Sequence, residues 1–130
     1  MPIIRLPYRK DEPPSLPVSV SGHGMYNGKR KRVRARFGLS VTENYLSNKI
    51  ISELNLFPHG KTVLASGRVS EFYFIDLHFT VGLLGNMTEQ TDFRGLVVIP
   101  SDRLDGLIVG MDLIRRGRLT VDADGIIFCY

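Results

Sequence analysis

From Val18 onward the chain alternates short apolar stretches with glycine-marked breaks, the pattern of a small all-β domain. Val18 and Val20 can share one strand face, and Gly22-His23-Gly24 reads as a bend. Asn27-Gly28 is a hairpin signal, because both residues tolerate positive φ. The strand predicted next, over 29–37, places Arg30, Arg32, Arg34 and Arg36 on one parity. Lys31, Val33, Ala35 and Phe37 fall on the other. Two further segments, 61–65 and 69–81, flank a turn at Ser66-Gly67. In the second, Tyr73, Ile75, Leu77, Phe79 and Val81 alternate and are expected to face the core. Phe72 and Phe74 lie on the opposite parity, so part of this strand should be covered on both sides or meet a partner. Residues 82–94 read as a loop, and 96–99 as a strand ended by Pro100.

Helical spacing is confined to two short places. Ile50, Ile51 and Leu54 form a one-sided stripe, with Ser47 as the expected N-cap and Leu46 stapling onto Ile51. Asn55 suits a left-handed C-terminal residue, and Pro58 stops the helix. The second helix is expected over 111–116, after the buried strand Leu107-Ile108-Val109 and the bend at Gly110, and is closed by Gly117. Leu119 and Val121 then make a strand, Asp124-Gly125 a turn, and 126–130 the last strand. Residues 1–17 hold Pro13, Pro14 and Pro17 near Asp11 and Glu12. That composition predicts an extended arm along a sheet edge or across a partner, with the folded domain over 18–130.

Composition narrows the function classes. At 130 residues the chain can bury one core, and 43% hydrophobic with 23% charged residues is ordinary for a soluble globular domain. Neither a signal-peptide core nor a membrane span is legible, so the expected location is the cytoplasm, with no membrane partner. A single cysteine, Cys129, allows no internal disulfide and too few thiolates for structural zinc. His23, His59 and His78 follow no ligand spacing, and the glycines form no phosphate-cradling loop. No cofactor and no metal are expected. The formal charge of +4 is compatible with nucleic acid without requiring it.

A strand–turn–helix rhythm occurs at 33–54 and again at 107–116. With it, Leu107-Ile108-Val109-Gly110-Met111-Asp112-Leu113-Ile114 resembles the second signature of retropepsin-like aspartic proteases: two aliphatics, Gly, a variable residue, Asp or Asn, two aliphatics. The tail from Gly117 to Gly125 is similar to the strand pair that follows it in bacterial members. Val33 to Phe37 stands where the family has the strand before its catalytic Asp-Thr-Gly. Val41-Thr42 matches the Ala-Ser/Thr pair after it, and the 46–56 stretch the helix and its exit. Ser66-Gly67 stands where the flap belongs. The resemblance covers about residues 18–130 and implies a mainly β, retropepsin-like closed barrel with one or two short helices.

The same alignment puts Gly38-Leu39-Ser40 where Asp-Thr-Gly is required. Aspartic protease chemistry uses two carboxylates, one from each half of a dimer, sharing a proton and activating water. Glycine supplies neither carboxylate. Asp76, Asp102, Asp105 and Asp112 read as strand, turn or cap residues, and Ser66 and Ser101 lack the context of a nucleophile elbow. The resemblance therefore implies an inactive homologue that binds a peptide or protein as a homodimer. Its groove would be lined by Gly38, Ser40 and Thr42 below, with Ser66, Gly67 and Arg68 above. A second reading takes Arg30, Arg32, Arg34 and Arg36, about 6.5–7 Å apart along a strand, as a nucleic-acid stripe. A heterodimer with an aspartate-bearing partner is a weaker reading, because one carboxylate cannot share a proton with glycine. A structural subunit of a larger assembly is a further alternative.

Overall fold

The computed structural model describes residues 3–7, 15–24, 29–82, 88–122 and 125–129. Among them are β1 (Ile3–Pro7), β2 (Ser15–Gly22), β3 (Lys31–Phe37), β4 (Tyr45–Ser47), α1 (Asn48–Glu53), β5 (Gly60–Val63) and β6 (Val69–Gly82). Then come β7 (Thr88–Ser101), β8 (Leu107–Val109), α2 (Met111–Ile114), β9 (Arg118–Asp122) and β10 (Gly125–Cys129).

Strands β2, β3, β8, β4, β7 and β6 follow one another edge to edge, and β6 pairs back onto β2, closing a barrel. β5 adds to the outer edge of β6 as a hairpin. Two pairings, β3 with β8 and β4 with β7, are parallel. A second sheet of three strands has the order β1-β10-β9. With its two short helices this is the mainly β barrel expected.

Alternation explains the wall. Val33, Ala35 and Phe37 of β3 are buried, as are Tyr73, Ile75, Leu77 and Phe79 of β6. The side chain of Val81 lies outside the described residues, as does the Asn27-Gly28 turn. Phe72 and Phe74 are half-buried on the far side of β6. There the His59 ring stands edge-on to Phe74 at 4.4 Å and Phe72 meets Phe74 at 5.6 Å, so this part of the strand is covered on both sides. Phe128 of β10 meets Phe37 at 5.7 Å and ties the second sheet to the barrel core.

Several local expectations are corrected. The stretch read as a loop over 82–94 contains the first half of β7, since residues 88–93 pair with β6. Residues 88–92 are polar and carry no apolar alternation, so the long hairpin ladder sets their conformation. Pro100 does not end this strand, which continues to Ser101 by parallel pairing with β4. Ser47 stands at the N-cap of α1 but makes no side-chain capping bond. It is buried, and its N–H donates to the Gly106 carbonyl at 2.9 Å. Asn55 has the left-handed φ of 53° expected of it.

A register shift between Ile75 and Leu77 faces Gly95, whose φ is +69°. Asp76 serves this bulge: its Oδ1 accepts from Gly95 N–H at 2.9 Å and from His23 Nδ1 at 2.7 Å. A conformational role therefore accounts for this carboxylate.

Candidate functional site

The loop between β3 and β4 carries Gly38, Leu39 and Ser40. Its first residue continues the β3–β8 ladder, with Gly38 N–H donating to the Val109 carbonyl at 2.9 Å. Its middle is braced by α2. The carbonyls of Val41 and Thr42 accept from Met111 N–H at 2.8 Å and Asp112 N–H at 2.9 Å, satisfying donors that a helix start leaves open. Gly110 makes this approach sterically available, because a Cβ there would overlap the Glu43 carbonyl.

Asn44 is the hub of the arrangement and carried no signal in the sequence. It is 1% exposed. Its Oδ1 accepts from Gly110 N–H at 2.8 Å and its Nδ2 donates to the Val97 carbonyl at 3.1 Å. Its own carbonyl accepts from Ile99 N–H at 2.8 Å. One buried amide thus joins the loop, β7 and the start of α2.

Glu43 joins the loop to the β5–β6 hairpin. One carboxylate oxygen accepts from Ala65 N–H in the hairpin turn, and the other from the Tyr45 hydroxyl at 3.2 Å. Partial burial pushes its carboxyl upward. Donation from Ala65, from its own backbone and from Tyr45 outweighs that and holds it below the usual carboxylate range. Burial and the Glu43 charge push the Tyr45 phenol up, opposed by the nearby Arg68 cation. The hairpin turn, with Gly67 at φ +88°, is therefore tethered to the loop.

Of the six groove residues expected, Ser40, Thr42, Ser66, Gly67 and Arg68 are exposed and Gly38 is half-buried. At Gly38 a Cβ would lie 3.1 Å from Val41 Cγ2 and 3.2 Å from Ile108 Cγ2. Aliphatic groups of Val41 and Ile108 thus stand close around Gly38. Of the aspartates singled out in the sequence, Asp112 is exposed and lies 3.5 Å from Arg115, while Asp102 and Asp105 are exposed in the β7–β8 connection.

Around the loop and hairpin, Leu39, Val63 and Val69 are exposed apolar side chains at 58%, 69% and 64%. Val63 and Val69 are directly paired across the hairpin, so they share a face. Of the four arginines read as a stripe, Arg32, Arg34 and Arg36 are exposed on one face of β3. Arg30 is exposed and precedes the strand.

The histidines separate into two groups. His23 and His59 line one cavity with Phe57 and Phe74. His78 stands apart: its Nδ1 donates to Asp92 Oδ1 at 2.7 Å, and its Nε2 is 2.8 Å from Ser21 Oγ. This is the connectivity of a hydrolytic serine relay, but the imidazole is only 8% exposed. Buried in this way, the relay joins β2, β6 and β7 at the seam that closes the barrel. Among the described residues no group of three or more His, Cys, Asp or Glu side chains is placed to hold a metal ion, and no helix is long and apolar enough to cross a membrane.

Compared with solved structures, the chain is similar to a retropepsin-like aspartic protease from Rickettsia conorii. The TM-score is 0.64 at 14% identity, covering 98% of this chain and 90% of that one. A looser likeness, with a TM-score of 0.42 at 15% identity over 83% of this chain and 81% of that one, is to the retroviral protease-like domain of Ddi1 from Leishmania major. No protein-family model and no curated protein matches the sequence. The fold is the retropepsin-like one.

Proposed function

We propose that this chain is a non-catalytic peptide- or protein-binding module on the retropepsin-like fold, acting as a homodimer. The observation that carries the reading is the absent side chain at Gly38, a position hemmed closely by Val41 and Ile108. A carboxylate dyad needs an acid side chain there from each half of the dimer. Gly38 has none, and Val41 and Ile108 occupy the surrounding space. Glu43, the carboxylate within the same loop, is held by Ala65 and Tyr45 and serves the hairpin.

Removing the dyad leaves the binding surfaces of such a fold in place. In this reading an extended segment lies between Gly38, Ser40 and Thr42 on one side and Ser66, Gly67 and Arg68 on the other. Main-chain hydrogen bonding supplies affinity and side-chain pockets supply selectivity. The exposed Leu39, Val63 and Val69 offer apolar contacts beside that slot.

Peptides selected on the full chain from a random library test this, by fluorescence anisotropy for binding and mass spectrometry for cleavage. Ser40→Trp and Ser66→Trp are each expected to weaken a selected peptide by at least about tenfold. No peptide bond should be cut between about pH 4 and about pH 7, where carboxylate dyads work. Hydrolysis by the purified chain would overturn the reading, as would binding untouched by both substitutions.

The exposed row Arg32, Arg34 and Arg36 favours a second reading, nucleic-acid binding. It requires an affinity that falls steeply with salt and depends on all three.

A further inference from the structure

Arg34 and Arg36 line a cavity of about 170 Å³ together with Arg103 and the chain from Leu104 to Ile108. Sequence spacing could not bring Arg103 to this place. The parallel pairing of β3 with β8 does so, with Ala35 opposite Leu107 and Arg36 opposite Ile108. Gly106 permits the contact: a Cβ there would lie 2.5 Å from the Arg34 carbonyl oxygen, closer than real Cβ atoms come. The turn before β8 is thereby set down beside the two strand arginines, and its Arg103 N–H is fixed by Ser101 Oγ at 3.2 Å.

Among the described residues, no carboxylate neutralises the cations of this cavity. Arg34 Nε donates to the buried Ser15 hydroxyl at 2.9 Å, which orients the guanidinium. Its two terminal nitrogens form no hydrogen bond among the described residues, and neither Arg36 nor Arg103 forms an ion pair there. Asp105 lies at the same cavity and is not within ion-pairing distance of any of the three. Among the described residues, three cations less one carboxylate line this space, a charge of two positive.

We propose that this cavity binds a phosphomonoester. Such a group carries about −1.5 to −2 at pH 7 and three acceptor oxygens, which suits the charge and the donor-rich guanidinium groups of the three lining arginines. A nucleic-acid diester carries a single charge per phosphate and would be tracked by a row of arginines. Arg32 belongs to that row but does not line the cavity, whereas Arg103 lines the cavity and is outside the row. The ligand is a phosphate ester on a protein side chain or on a small molecule, and the chemistry of recognition is shared.

Isothermal titration of the full chain with inorganic phosphate, a phosphoserine peptide, glucose 6-phosphate and duplex DNA lacking terminal phosphates tests the site. Saturable binding of a monoester is expected. Arg36→Gln and Arg103→Gln, both at exposed side chains, should each weaken it by about tenfold or more, while Arg32→Gln changes it by less than about twofold. Circular dichroism establishes that each variant is folded, and Arg103→Lys, which keeps the charge but loses the fork, should fall between wild type and Arg103→Gln. Preference for the phosphopeptide over glucose 6-phosphate identifies a protein ligand, and the reverse preference a small molecule; either supports the proposal. Absence of saturable monoester binding would overturn it. So would an Arg32→Gln loss as large as that of Arg103→Gln, or DNA binding in its place, either of which would return the arginines to the stripe.

Discussion

Asn44 shows how much of this site rests on single residues. Its amide satisfies Gly110 N–H and the Val97 carbonyl from a position 1% exposed. Asn44→Leu keeps the number and branching of side-chain heavy atoms but leaves both backbone groups without that partner, each at a cost of about 1–3 kcal/mol. A loss of about 2–4 kcal/mol is expected in urea denaturation, with the midpoint moving and the slope unchanged. A loss below about 0.5 kcal/mol would mean that water replaces the amide without penalty. In the sequence Asn44 is an isolated polar residue beside a strand. Its partners are 53 and 66 positions away, so no local pattern marks it. Gly110 was legible by contrast, because it sits inside a motif whose aliphatic flanks fix its place, and the structure supplies the reason in the Glu43 carbonyl pressed against it.

At the level of elements, the hairpin β5–β6 and the Gly38 loop behave as a coupled pair because Glu43 bridges them. Its carboxyl lies below the usual value of 4.5 in the folded chain, so the ionised form is the one the fold prefers. The tether is complete above that value and is lost as pH falls through the lowered folded value. The Ala65 amide resonance is expected to hold its position from neutral pH down to about that range and then to move. Glu43→Gln should remove the acid transition while leaving α2 and β8 resonances in place. An Ala65 resonance insensitive to both acid and substitution would show that the hairpin is held by other contacts. The hairpin was legible from its alternation and from Ser66-Gly67. β4 and the first half of β7 were not. β4 has three residues, too few to show a period, and residues 88–92 are polar and become strand only by pairing with β6. Both owe their conformation to partners distant in the chain, the circumstance in which local propensity decides least.

For the whole molecule, assembly turns on which edges and apolar groups face outward. Within one chain β10 is flanked by β1 and β9, so its two edges are already paired, and among the described residues the outer edges of that sheet are β1 and β9. A dimer that left this sheet intact would add through those edges or meet through the Gly38 loop, where Leu39 is 58% exposed. An apolar residue facing its own copy across a two-fold axis makes an isologous contact, which salt strengthens or leaves unchanged. Light-scattering mass at low and high salt is therefore expected to give twice the chain mass in both, and Leu39→Asp to give the single-chain mass at the same concentration. The same measurement with a short duplex separates the alternatives. A mass increase only with DNA and only at low salt is the signature of phosphate neutralisation by the β3 arginines. A chain that is monomeric under every condition, with Leu39 unchanged, would remove the two-fold contact and with it a groove closed by two hairpins. Binding would then fall to the single slot between Ser40 and Ser66, reachable from one side, and a peptide should be held through one flank only.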